Sequence, residues 1–141
     1  MPSIAIVIVT YNSADVLAGC LDAIRGEGVD ITAVVVVDNN SRDDSVAVAL
    51  AAADRLPIRS VQTGRNAGYA AAVNAGIAAV ADEPYDAIWV MNPDTRLRPD
   101  TLRILVESLR EPGRGIAVPK ILNPDGTLQF SLRRKPTVGR A

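Results

Sequence analysis

The sequence contains no histidine. Imidazole bases, His-containing triads and His metal sites are therefore excluded. It has one cysteine, Cys20, so no intrachain disulfide and no cysteine-based zinc site can form. An excess of one charge is missing too. The 15 basic and 16 acidic residues leave a net charge of −1, which excludes the strongly basic profile of a nucleic-acid binder. No apolar run approaches the roughly 18 residues of a membrane span. Met1-Pro2-Ser3 lacks the basic start of a secretory signal. What is present is 141 residues, 48% of them apolar, which is one domain's length with material for a real core. With 22% charged residues and little imbalance, the chain is expected to fold. Its chemistry must run on carboxylates, amides, hydroxyls and backbone groups.

Charge is uneven along the chain. Residues 1–114 carry ten basic and fifteen acidic side chains; residues 115–141 carry Lys120, Arg133, Arg134, Lys135 and Arg140 against Asp125 alone. A basic end of this kind reads either as a solvated tail or as a segment that meets phosphate or an acidic surface.

Strand and helix signals alternate. Ile4 to Val9 is a near-continuous β-branched run, the pattern of a strand buried on both faces. Ser13 offers a cap to a helix whose stripe is Val16, Leu17, Cys20, Leu21 and Ile24, ended by Gly26 and Gly28; Cys20 falls on the core side. Ala33 to Val37 predicts a second strand, and Ser41 with Asp43 the start of a second helix through Val46, Leu50 and Ala53. Ile58 to Gln62 predicts a third strand, followed by a small-residue helix over 68–81 with Val73, Ile77 and Val80 on one side. Ala87 to Met91 predicts a fourth strand, and Pro99-Asp100 opens a helix with Leu102, Leu105, Val106 and Leu109 as its stripe. Ile116 to Val118 reads as a fifth strand, Asn123-Pro124-Asp125-Gly126 as a turn, and Thr127 to Leu132 as a strand after it. Residues 133–141 read as irregular. The order predicts an α/β fold: an open parallel sheet with helices on both faces and right-handed crossovers.

Ligands of such sheets bind outside the carboxyl ends of the strands. Those ends read Thr10-Tyr11-Asn12-Ser13, Asp38-Asn39-Asn40-Ser41, Thr63-Gly64-Arg65-Asn66-Ala67-Gly68 and Asn92-Pro93-Asp94-Thr95. Any one cluster is ordinary turn chemistry; four on one rim point to a site. Several familiar sites are absent. No G-x-G-x-x-G follows the first strand, no G-x-x-x-x-G-K occurs, and there is no G-x-S-x-G elbow. The acidic pair of a phospho-receiver is also missing from the end of the first strand. The rim instead holds what a nucleoside diphosphate needs. Tyr11 offers a flat face to a base. Asp38 and Asn39 offer acceptors to base or ribose edges. Arg65 and the helix start near Gly68 can face phosphate. Asp94 offers hard oxygen to a divalent cation.

Five stretches in order resemble the family 2 glycosyltransferases: IAIVIVTYNSADVLAGCLDAI, VVVVDNNSRDDS, GRNAGYAAAVNAGI, WVMNPDTRLRPDTL and VPKILNPDGTLQFSLRR. The NPD and NPDGTLQ segments look most like a bacterial rhamnosyltransferase branch that builds surface polysaccharides. The resemblance implies the GT-A fold, a Rossmann-like and mostly parallel α/β sheet. It implies a nucleotide-sugar-binding domain over 1–118, with 119–141 as the start of the acceptor side and the sheet incomplete there. The donor would be a dTDP-rhamnose-like or UDP sugar and the acceptor a saccharide or lipid-linked molecule, served by Mn²⁺ or Mg²⁺. Carried over by position, Thr10 and Tyr11 would meet the base, with Asn12 in the same nucleotide-sugar site; Asp38 and Asn39 would hold base and ribose; Arg65 and Asn66 would add base and nucleotide contacts. Gly68 would let the next helix approach closely, Asn92 and Asp94 would stand in the metal motif, and Asp94 would be the ligand. Asn74 matches a family asparagine, with an internal hydrogen bond as its plainer use; Asp100 fits a helix cap.

Asn39 and Asn92 stand where many relatives have Asp, which removes negative charge from the site. The family's catalytic base is expected beyond Ala141, because Asp125, the only acid after Glu111, sits in a turn. The resemblance therefore implies the donor half of an inverting transferase that turns over poorly alone. It also implies a cytoplasmic place, peripheral at the inner membrane face. The rival readings are a non-catalytic nucleotide-binding module and a remnant that forms homo-oligomers through exposed apolar surface.

Overall fold

The computed structural model describes residues 1–26 and 28–131. The expected irregular tail, with Arg133, Arg134, Lys135 and Arg140, lies outside the described residues. Four strands, β1 (Ser3–Thr10), β2 (Asp30–Asp38), β3 (Ile58–Gln62) and β4 (Ala87–Met91), alternate with α1 (Ala14–Asp22), α2 (Ser45–Leu50), α3 (Tyr69–Ala78) and α4 (Thr101–Leu109). The strands are parallel in the order β3-β2-β1-β4. Adjacent carboxyl ends align: Thr10 pairs with Asp38 and Asp38 with Gln62, while Ile8 pairs with Met91.

Helices cover both faces, which is why the two central strands are apolar on both. One face carries Ile4, Ile6, Ile8, Val34 and Val36 against Leu17, Cys20 and Leu21 of α1, Ala49 of α2, and Leu102 and Val106 of α4. The other carries Ala5, Val7, Val9, Val35 and Val37 against α3 through Ala72 and the nearby Val80. Each such side chain contributes about 1.5–3 kcal/mol on burial. The predicted stripe of α3 shifts by one position. Ala72 and Gly76 face the sheet, and Val73 and Ile77 flank them half-buried. The reason is distance. A Cβ on Gly76 would overlap Val7 Cγ1 and stand 2.9 Å from Val37 Cγ2, so α3 sits on the sheet at glycine range.

Four local expectations are corrected. Ser41 and Asp43 do not open α2, which begins at Ser45 after Asp44. Asp43 Oδ1 does accept the Ser45 N–H at 3.1 Å, but both residues also reach across to the other loop: Ala14 N–H donates to Asp43 Oδ2 at 2.9 Å, and Asn12 N–H to Ser41 Oγ at 2.9 Å. Ser13 precedes α1 but makes no side-chain cap; its hydroxyl donates to the Tyr11 carbonyl at 3.1 Å. Asp43 thus takes up a free N–H of α1 that Ser13 leaves open. Nor is Ile116 to Val118 a strand. Ile116 and Val118 are exposed, and three apolar residues cannot hold a strand without a partner edge. The 123–126 turn is present, with Gly126 N–H donating to the Asn123 carbonyl at 2.8 Å, but the strand after it is reduced to a Leu122–Leu128 bridge, and Leu132 lies outside the described residues.

Candidate functional site

Sheet order fixes where the polar loops meet. From β1 the chain steps outward through β2 to β3, then crosses to the far side of β1 as β4. The loops after β1 and β4 leave neighbouring strands at the carboxyl edge, where ligands of such sheets bind, and both lead to helices on the same face, α1 and α4. Thr10 to Ser13 follows β1 and Asn92 to Asp94 follows the neighbouring β4, with Asp38 beside Thr10 in register.

Asp38 is buried, only 4% exposed. Its Oδ2 accepts the Ser41 N–H at 3.1 Å; its Oδ1 has no partner among the described residues. On the adjacent strand end, Thr10 Oγ1 is likewise buried and unpartnered. Each such atom costs about 1–3 kcal/mol when left unsatisfied. The two lie on paired residues at the ends of β1 and β2, and an orphaned pair of this kind marks a place to look for a function.

Asn39 turns inward instead. Its Nδ2 donates to Asn66 Oδ1 at 2.9 Å, and its Oδ1 accepts the Ala67 N–H at 3.2 Å. Thr63 Oγ1 lies 3.2 Å from the same oxygen. Asn66 Oδ1 also accepts the Gly68 N–H at 3.1 Å, which sets the entry to α3. The buried Asn39 amide thus ties the β3–α3 loop to the end of β2. Gly68 has φ +88 with open space where a Cβ would go, so it serves the turn, while Gly76 makes the close approach. Arg65 is exposed, and its guanidinium makes no hydrogen bond or ion pair among the described residues.

Asn12, at φ 50, joins the first two loops: its Oδ1 accepts the Arg42 N–H at 2.8 Å. Tyr11 next to it is 49% exposed, so its ring is open to a ligand. Asn74 is exposed on α3, and the expected internal hydrogen bond is not among those of the described residues.

After β4, Thr95 N–H donates to the Asn92 carbonyl at 3.2 Å, closing a turn with Pro93 at its second position and Asp94 at its third. Asn92 and Asp94 are exposed, and the Asp94 carboxylate has no partner among the described residues. No cluster of three metal-binding side chains occurs there. One exposed carboxylate fits a divalent cation that a diphosphate also coordinates; it does not fit an all-protein cage. Cys20 lies behind this turn, its Sγ 3.6 Å from the Asn92 carbonyl, and burial pushes its thiol up to about 11. It is core, as its stripe position predicts. Asp100 precedes α4 at φ 62 and pairs with Arg103 rather than capping the helix through its side chain. No hydrogen bond or ion pair joins the Asp94 turn to the Asp38 side among the described residues. A cavity of about 220 Å³ lined by Arg25, Leu97, Arg98 and Thr101 lies away from the rim.

No helix among the described residues is long and apolar enough to cross a membrane. The model of glycosyl transferase family 2 matches residues 5–137. The chain is 37% identical over 119 residues to the succinoglycan biosynthesis protein ExoO of Rhizobium meliloti, covering 84% of this chain and 33% of that protein. It is 33% identical over 145 residues to an N-acetylglucosaminyl-diphospho-decaprenol L-rhamnosyltransferase of Mycobacterium tuberculosis, covering 96% and 46%. It spans a third to just under half the length of these relatives. Its fold matches a mannosyltransferase from Pyrobaculum calidifontis solved with GDP-Man and Mn²⁺, at TM-score 0.65 and 24% identity, over 77% of this chain and 32% of that one. The parallel sheet, its helices and its loop order are those of a GT-A glycosyltransferase, and the chain belongs to glycosyl transferase family 2.

Proposed function

We propose that residues 1–118 bind the nucleotide-sugar donor of an inverting glycosyl transfer, and that 119–141 begin the acceptor side. The carrying observation is the pair of buried, unpartnered polar atoms, Asp38 Oδ1 and Thr10 Oγ1, on the paired carboxyl ends of β2 and β1. A pyrimidine imide N–H is a donor of the right kind for Asp38, and a base held there would lie against the exposed Tyr11 ring. Arg65 and the start of α3 would face the diphosphate. Asp94, with Asn92 beside it, would hold Mn²⁺ or Mg²⁺ together with that diphosphate. A bound cation offsets the negative charge that builds on the leaving diphosphate.

In the transfer, an acceptor hydroxyl loses its proton to a base and attacks the anomeric carbon from the face opposite the diphosphate. The new glycosidic C–O bond forms as the bond to the β-phosphate oxygen breaks. The residues here orient the donor. The base is assigned outside them, because the Asp125 carboxylate accepts from the Thr127 N–H at 2.9 Å and from its hydroxyl at 2.7 Å. The rhamnosyltransferase's name supports a rhamnosyl-type donor and a lipid-linked saccharide acceptor, and a lipid-linked acceptor would bring the chain to a membrane face.

The test is calorimetric titration with UDP and with TDP, each with and without Mn²⁺. Binding that Mn²⁺ strengthens, and that Asp94→Ala returns to the metal-free level, supports the reading. A folded chain that binds neither nucleotide refutes it. A second reading, self-association, is favoured by the exposure of Ile116, Val118 and Phe130, and sedimentation equilibrium tests it.

A further inference from the structure

We propose that Arg96 is a positioning residue for the donor site: it clamps the Asn92–Thr95 turn onto α1, with Gly19 as its seat. The inference rests on the assignment of Asp94 to the diphosphate side.

Gly19 is in the interior of α1, where glycine costs about 0.5–1 kcal/mol relative to alanine. Its use is visible. A Cβ there would stand 2.6 Å from Arg96 Nη2, 2.8 Å from Cζ and 2.9 Å from Nε, so the guanidinium lies flat across the helix at that point. From this seat Nη2 donates to the Val16 carbonyl at 3.0 Å, and Nη1 donates to the Thr95 carbonyl at 3.0 Å. One planar group therefore bridges α1 and the C-terminal end of the turn. The N-terminal end is held by the same helix, through the Cys20 Sγ contact to the Asn92 carbonyl at 3.6 Å.

Val16, Gly19 and Cys20 are three and four residues apart, so they share one face of α1. That face is immobile, since Leu17, Cys20 and Leu21 are buried in the core. The turn is thus tied at both ends to a rigid helix, while the exposed Asp94 carboxylate between the ties stays unengaged. Holding the carboxylate carrier rigid without using the carboxylate is what preorganisation of a binding loop requires. Lysine could not replace the arginine: one ammonium lacks the planar fork that spans both carbonyls.

Gly19→Ala separates this role from plain stability. The added methyl improves helix propensity by up to about 1 kcal/mol. What it displaces is the far end of a flexible side chain, so the fold is kept. Expected for Gly19→Ala is an unfolding midpoint equal to or above the parent's, with amide exchange at Thr95 about tenfold faster, as for loss of one hydrogen bond from a charged donor. Mn²⁺-dependent UDP or TDP affinity should fall by a similar factor, about tenfold. Arg96→Ala and Arg96→Lys should weaken affinity alike, with metal-free binding unchanged. Unchanged Thr95 exchange in Gly19→Ala and Arg96→Ala overturns the clamp. Faster exchange with unchanged Mn²⁺-dependent affinity overturns the positioning role. A parent that binds no nucleotide refutes the donor-site assignment itself, and Thr95 exchange alone then decides whether Arg96 fixes the turn.

Discussion

Gly76→Ala adds one methyl where α3 meets the sheet. Its Cβ would overlap Val7 Cγ1 and stand 2.9 Å from Val37 Cγ2, whereas ordinary carbon contacts lie at roughly 3.5–4.0 Å. Val7 and Val37 are fully buried in the two central strands, whose opposite faces are already packed, so neither can retreat. The helix must lift instead. Overpacking of this kind costs about 1–3 kcal/mol. Replacing a helical glycine by alanine returns up to about 1 kcal/mol, leaving a net loss near 1–2 kcal/mol. With a urea slope of roughly 2 kcal/mol/M, the unfolding midpoint should drop by about 0.5–1 M at constant slope. Ala71→Gly, on the exposed side of the same helix, calibrates the propensity component. Lifting α3 also disturbs its start at Gly68, so nucleotide affinity should weaken as well. A Gly76→Ala midpoint at or above the parent's would refute the seating of α3 and the reasoning built on it.

Asn39→Ala should cost about 1–3 kcal/mol, because it leaves Ala67 N–H without its acceptor and takes one of two donors from Asn66 Oδ1, and amide exchange at Ala67 should quicken; urea unfolding and exchange check both. Asp43 is held below the usual carboxylate range by the Ser45 hydroxyl and then the Ala14 N–H, and Asp86 by the Ser3 N–H and hydroxyl. Both carboxylates ionise more readily folded than unfolded. Their stabilisation is therefore full above the ordinary value of 3.8 and is lost as pH falls through their lower folded values. Thermal unfolding across this acid range should decline less steeply for Asp43→Asn than for the parent. Cys20, with its thiol pushed up to about 11, should resist alkylation at pH near 8 while folded and react only on denaturation, as thiol titration with and without denaturant will show.

The sheet was readable because its signals are local. β-branched runs mark the strands, and the bounds of β3 and β4 follow from apolar runs that end in turn residues. Tyr11, Asp38, Arg65 and Asp94 were legible as rim residues because strand ends are positions of known use in this architecture. What escaped depends on partners distant in sequence. Asp43 does bond the first residue of α2, Ser45, as its position suggests, but its other oxygen serves α1, 29 residues back. Asn39 looks like a ligand group, yet its amide bonds converge on a loop 27–28 residues ahead. Gly68 and Gly76 read alike in a small-residue helix, and only the packed sheet separates a turn glycine from a contact glycine. Ile116 to Val118 has strand composition without a strand edge to pair with.

The central claim is that the Asp38 and Asp94 loops form one donor site with separate tasks. The most direct measurement is calorimetric binding of UDP and TDP, with and without Mn²⁺, to the parent, Asp38→Ala and Asp94→Ala. The account predicts that Asp38→Ala loses about tenfold or more in affinity, the effect of removing a charged acceptor, while Mn²⁺ still strengthens what binding remains. Asp94→Ala should keep metal-free affinity and lose the response to Mn²⁺. Two variants that bind like the parent, in both the presence and the absence of Mn²⁺, would contradict it.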